Sequence, residues 1–226
     1  MSSGAARRAE FHTPRRVMIV DDHPLVRERL AGLINEQPDL RVCCEAADLH
    51  EALHNLEQCP PDLAIVDLSL RNSHGLDLIK ELHARRARLP ILVVSMHDES
   101  LYAERALRAG ARGYITKQEA TQKVLQAMRR VLEGEVFVSP RIAAGIAANA
   151  AAPGPVVRDG IARLSDRELR VFELIGRGHK PRQIAAELHL DIKTVEAYRA
   201  RIRTKLGLQD AREVLQHAIE WTRSLD

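Results

Sequence analysis

The 226-residue chain exceeds the usual size of one compact domain, so two domains of roughly 100 residues each are expected, both able to bury a core. No run of about 18 apolar residues is present to span a bilayer, which argues against a helical membrane protein and predicts a cytoplasmic one with no membrane partner. The formal net charge of +3 divides unevenly: residues 17–135 hold 15 Lys and Arg against 19 Asp and Glu, and residues 161–226 hold 13 against 10, as expected of an acidic cation-binding module joined to one that meets nucleic acid.

Residues 1–16 carry Arg7, Arg8, Arg15 and Arg16 with no apolar stretch behind them, so they read as a disordered tail rather than a signal peptide. From Val17 to Leu132 short apolar runs alternate with helix-period segments, and strands are expected at 17–20, 41–45, 63–66, 91–94 and 113–115, each followed by a helix. Five such units predict a flavodoxin-like α/β domain over residues 17–135, a doubly wound five-stranded parallel sheet with its chemistry in loops at the carboxyl ends of the strands. Cys43, Cys44 and Cys59 have neither metal-ligand spacing nor an even count and read as buried reduced thiols. A linker is expected over 136–160, where the alanine-rich stretch 143–152 can be helical and Pro153, Gly154 and Pro155 cannot continue a helix.

A small all-α domain of four helices is expected over 161–226. Ser165 and Glu168 have the spacing of a capping box, and Leu169, Phe172 and either Leu174 or Ile175 supply an inward face. Further helices are expected near 181–188, 192–206 and 211–223. Asp191 is placed to cap the third, and Val195, Ile202 and Leu206 form its buried stripe.

The first expected strand ends in Asp21 and Asp22, the third in Asp67 and the fourth in Ser95, while Lys117 follows the fifth. In a doubly wound sheet the first and third strands are neighbours, so three carboxylates converge on one small volume, where their repulsion is costly unless a cation is present. Hard oxygen ligands of this kind suit Mg2+. With these residues and the run Asp21, Asp22, His23, Pro24, Leu25, Val26, Arg27, residues 17–132 resemble a response-regulator receiver domain, specifically of the NarL/FixJ group.

That resemblance implies that Asp67 is the phosphoacceptor for a histidine kinase. It also implies that Asp21, Asp22, Asp67 and the backbone carbonyl of Ser69 arrange Mg2+, and that Ser95 and Lys117 hold phosphoryl oxygens. In-line phosphoryl transfer needs this charge neutralisation around the equatorial oxygens. Tyr114 stands where the family has a switch aromatic that turns inward as the Ser95 hydroxyl closes on the phosphate; the alternative is an aromatic that simply covers the helix face. Two positions depart from the family pattern: Leu70 and Arg71 replace a frequent Met-Pro pair, and Gln118 follows Lys117 where many receivers have proline.

Residues 164–206 resemble a LuxR-type helix-turn-helix domain, most closely in Leu164, Ser165, Arg167 and Glu168 and in Lys193, Thr194, Val195 and Glu196. By that resemblance the motif spans Pro181 to Ala200 and binds double-stranded DNA. Lys193, Thr194, Arg199 and Arg203 are candidates for phosphate contacts, and Glu196, Ala197 and Ala200 occupy the face that approaches the bases. By the same resemblance the last helix pairs two DNA-bound domains, with Trp221 either at that contact or in the core, and a homodimer is expected when the protein is phosphorylated or DNA-bound. Together these readings predict a phosphorylation-controlled transcriptional regulator, not an enzyme. The aspartate-nucleophile phosphatases are the nearest rival, but their Asp-x-Asp belongs on strand one, where this chain has adjacent acids.

Overall fold

The computed structural model of the chain describes residues 13–70, 73–151 and 160–223. Strands β1 (Arg15–Val20), β2 (Leu40–Ala46) and β3 (Leu63–Val66) are followed by a minute hairpin of β4 (Ser69–Leu70) and β5 (Ser73–His74), then β6 (Ile91–Ser95) and β7 (Gly113–Thr116). The five longer strands make one parallel sheet in the order β2-β1-β3-β6-β7. Because side chains alternate along a strand, the sheet buries two faces. Val17, Ile19, Leu63, Ile65 and Leu92 pack under α1 (Pro24–Asn35) and α5 (Lys117–Leu132). Met18, Val20, Ala64, Val66 and Val93 pack under α2 (Leu49–Gln58), α3 (Gly75–Arg85) and α4 (Glu99–Ala109).

Both ends of the expected receiver unit need correction. β1 begins at Arg15, inside the expected tail: Arg15 N–H donates to the Asp39 carbonyl and Arg16 N–H to Asp62 Oδ2, so backbone bonding runs past the apolar run. The remainder of the tail, residues 1–12, lies outside the described residues. At the other end, Phe137 exchanges backbone hydrogen bonds with Arg112 and Tyr114 beside β7 and packs against the α5 side of the core. The expected linker therefore starts as part of the sheet unit. It continues as α6 (Pro140–Ala151), fastened by Ser139 Oγ and Arg141 to Glu99 at 2.9 and 3.2 Å. Pro153 to Pro155 lie outside the described residues.

The second unit is helical: a 3-10 turn (Gly160–Arg163), α7 (Asp166–Gly176), α8 (Pro181–Glu187), α9 (Ile192–Leu206) and α10 (Ala211–Arg223). The Ser165–Glu168 capping box forms in both directions. Asp191 occupies the N-cap position of α9, but only its backbone carbonyl accepts there, so the expected side-chain cap is not made. α10 lies directly on α7, since a Cβ on Gly176 would stand 2.4 Å from the Ala218 carbonyl oxygen. Trp221 lies beside Phe172, the two rings tilted with centroids 5.5 Å apart, which places it in packing of the core.

α7 is buried nearly all round, from Glu168 to Ile175 apart from half-buried Arg170. A helix covering a single core would show one apolar stripe. The second face of α7 is covered by α3 and α4 of the sheet unit, and the buried apolar cluster runs without a break from Tyr102 and Ala106 to Leu169 and Phe172.

Candidate functional site

Asp21, Asp22, Asp67, Ser95 and Lys117 all gather at the carboxyl edge of the sheet. The Lys117 ammonium lies 2.6 Å from Asp21 Oδ2 and 2.7 Å from Asp67 Oδ2. Burial pushes the Asp67 carboxyl up, against the pull of Lys117, and leaves it above the usual carboxylate range. Burial pulls Lys117 down, but Asp67 and Asp21 outweigh it, so its ammonium is held more firmly than usual. Asp67 Oδ1 is buried and has no hydrogen-bond partner among the described residues.

His23 was not anticipated here. Its Nδ1 sits 2.7 Å from Asp22 and 3.2 Å from Asp21, and with the three aspartates it forms a set of ligand atoms all within 4.8 Å of one another. Gly75 keeps the floor of the pocket closed, because a Cβ there would lie 2.3 Å from the Asp67 carbonyl oxygen. The Ser69 hydroxyl pairs with His97 Nε2 at 3.0 Å. Ser95 Oγ accepts from His97 N–H at 3.3 Å. The Tyr114 phenol is turned inward and donates to the His97 carbonyl at 2.9 Å, and burial pushes it well up. Leu70 is buried in β4, Arg71 lies outside the described residues, and Gln118 falls within α5.

At the other end of the chain, Lys193, Glu196, Ala197, Ala200 and Arg203 are exposed on α9, with Thr194 and Arg199 half-buried beside them. Glu196 is paired with Arg199 at 2.9 Å. Lys205, further along the helix, is tied to Glu168 at 2.6 Å and serves the fold of its own unit. The turn between α8 and α9 is tight, with His189 at φ +50° and Leu190 N–H donating to the Ala185 carbonyl.

The response regulator receiver domain family matches residues 17–129, half the chain, and the luxR family of bacterial regulatory proteins matches residues 162–218. The chain belongs to the response regulators. This regulator is 32% identical to the oxygen regulatory protein NreC of Staphylococcus aureus over 210 residues, 91% of this chain and 97% of that protein. A structure of RcsB from Salmonella enterica serovar Typhimurium, bound to promoter rprA in the presence of phosphomimetic BeF3-, has 25% identity and a TM-score of 0.66, covering 91% of this chain and 98% of that one. A LuxR-family two-component response regulator from Aurantimonas sp. SI85-9A1 is 36% identical at a TM-score of 0.57, covering 62% of this chain and all of that one. The regulator is therefore a DNA-binding transcriptional regulator of a two-component system, with a receiver domain and a helix-turn-helix domain.

Sequence reasoning missed the contact between the regulator's two units. Arg105 of α4 donates to Asp166 at 2.9 Å and to the carbonyl of Leu164 at 2.7 Å, Lys80 joins Asp166 at 2.8 Å, and Arg167 pairs with Asp77 at 2.7 Å. Beneath these pairs His97 Nδ1 lies 3.4 Å from Glu173, and the Tyr102 hydroxyl donates to the same carboxylate. Burial would raise Glu173, but His97 first and then Arg170 and Arg177 outweigh it and hold it at about 2. The pairs run in both directions across the contact, with cations and carboxylates contributed by each unit. The contact is made by α7, and α9 keeps its outer face in solvent. One signal was available: Glu173 adjoins Phe172 on the apolar side of α7, where an uncompensated carboxylate is costly.

Proposed function

We propose that Asp67 accepts the phosphoryl group. What carries this reading is Asp67 Oδ1, a buried carboxylate oxygen with no hydrogen-bond partner among the described residues, next to the Lys117 ammonium and the Asp21–Asp22 pair. Oδ1 attacks the phosphorus as the P–N bond to the histidine of a kinase breaks, and Lys117 and Ser95 take the phosphoryl oxygens. The three carboxylates fit Mg2+, with Asp21, Asp22, Asp67 and the carbonyl of Ser69 as its ligands. The ion, when bound, neutralises charge developing on the transferred group. A groove between α1 and α5 lined by Leu25, Leu33, Ala120 and Lys117, with Leu25 79% exposed, is a suitable apolar landing for the kinase.

The transfer serves one signal at a time, and the protein is not an enzyme turning over phosphate esters. Residues 15–151 act as the receiver unit and 160–223 as the DNA-binding unit, working in the cytoplasm. In the latter Lys193, Thr194, Arg199 and Arg203 hold DNA phosphates, while Glu196, Ala197 and Ala200 face the bases of the major groove. Phosphorylation loosens the docking of α7 and lets two copies pair on DNA as a homodimer.

Incubation with acetyl phosphate and Mg2+ followed by intact mass tests the central assignment. Wild type should gain one Mg2+-dependent, base-labile phosphoryl group and Asp67→Asn none; an adduct that persists in the variant, mapped away from neighbouring acids, overturns it.

A further inference from the structure

We infer that Cys43, Cys44 and Cys59 form a binding site for a thiophilic metal ion of the Zn(II) or Cu(I) class, held by three thiolates on the α2 side of the edge strand β2. Adjacent residues in a regular strand project to opposite faces, so two neighbouring cysteines should not share a ligand. Here they do, because β2 is bulged. Val17 stands opposite Val42 and Met18 opposite Cys44, leaving Cys43 as an extra residue with no partner in the register. A bulge of this kind re-aims a side chain, and the Cys43 and Cys44 sulfurs lie 3.6 Å apart.

Cys59, the C-cap of α2, completes the set from a different element. Its thiol donates to the Cys43 carbonyl at 3.2 Å, and the other two thiols lie 3.7 and 3.8 Å from its own carbonyl. All three sulfurs fall within 4.8 Å of one another, as unbridged, half-buried thiols. Three thiolates around one ion with metal–sulfur distances of about 2.3 Å stand about 4 Å apart, so little movement is needed.

The Arg16 guanidinium, 3.1 Å from Cys59 Sγ, offers the positive charge that an anionic trithiolate requires, and Arg16 is itself fixed by backbone bonding to Asp62. Sulfur ligands without a carboxylate select soft ions and reject Mg2+. Three protein ligands leave a fourth position for water or a small thiol. Cys59 precedes β3 and Asp67 follows it, so the thiol site lies away from the acidic pocket, and its test does not depend on the phosphoacceptor assignment.

The test is titration of reduced full-length protein with Cd2+ in excess Mg2+, reading the ultraviolet sulfur-to-cadmium charge-transfer band. A sharp end point at one ion per chain is expected, with the band displaced by Zn2+ or by Cu(I); which of them displaces it at lower concentration assigns the ion. Cys59→Ser should weaken binding by about tenfold or more, at least matching the loss of an outer-shell partner. Arg16→Gln, which keeps every ligand, should weaken it less, so a folding defect in the cysteine variant does not decide the matter. No band at one equivalent overturns the site, as does a band that neither ion displaces or that neither substitution alters. Rapid formation of a disulfide in metal-free protein that fails to bind Cd2+ when reduced also overturns it, in favour of a redox pair.

Discussion

Removing the Lys117 ammonium would leave Asp21 and Asp67, both nearly fully buried, without the cation they share. Lys117→Ala should therefore lose most of its affinity for fluoroberyllate while keeping the fold, a result read by isothermal titration beside circular dichroism; unchanged affinity would take Lys117 out of phosphoryl recognition. Gly75 is constrained by space rather than charge, since the atoms a Cβ would meet belong to the backbone of Asp67 and Leu68. Gly75→Ala should cost about 1–3 kcal/mol, the usual penalty of overpacking, seen as a lower denaturation midpoint. At this scale the sequence was informative wherever a residue's role follows from its position at a strand end, as for Asp21, Asp22, Asp67, Ser95 and Lys117. It was silent on His23 and His97, whose partners come from side-chain directions: His23 turns back onto Asp21 and Asp22, and His97 reaches Ser69 on one side and Glu173 on the other.

The elements themselves were legible because most carry their own signal. α9 and α10 fall at the expected residues, and α7 starts at its capping box. Errors arose where bonding is set by neighbours: β1 extends through two arginines because Asp39 and Asp62 accept from them, and Phe137 joins β7 because that edge has open backbone groups. The Cys43 bulge is of the same kind, invisible until β1 fixes the register of β2. For α9, each of Lys193→Ala and Arg203→Ala should reduce the slope of log affinity against log salt by about 1, uniformly across DNA sequences; an altered sequence preference with an unchanged slope would assign that side chain to base contact instead. For α7, Glu173 is held at about 2 against an ordinary 4.5, so its contribution to docking is complete above about pH 4.5 and lost as pH falls towards 2. Thermal stability of the full chain should fall across that window, and Glu173→Gln should flatten this part of the profile; a profile of identical shape in the variant would mean that the carboxylate does not stabilise the contact.

At the scale of the whole molecule, the sequence foretold two units but not how they meet, because an interface between units leaves no periodic trace. The receiver grips α7, and the outer face of α9 is left in solvent. Docking can then restrain the DNA-binding unit through its orientation and its freedom to pair. The path from the pocket to α7 is short, from Ser69, Ser95 and Tyr114 through His97 to Glu173. Movement of Ser95 or Tyr114 towards a phosphoryl group on Asp67 would alter bonds that position His97, and a switch requires such a difference in contacts between states. Arg105 provides the test because it touches neither the pocket nor α9, yet it holds Asp166 and two carbonyls across the interface. Arg105→Ala should weaken docking by about 1–2 kcal/mol, raising the DNA affinity of unphosphorylated protein about 5- to 30-fold. Fluoroberyllate should then add correspondingly less than it does in wild type, with sedimentation reporting earlier dimerisation on DNA. If the variant binds DNA as wild type does in both states while its receiver still takes up fluoroberyllate, the α7 contact is structural and phosphorylation acts through receiver pairing alone.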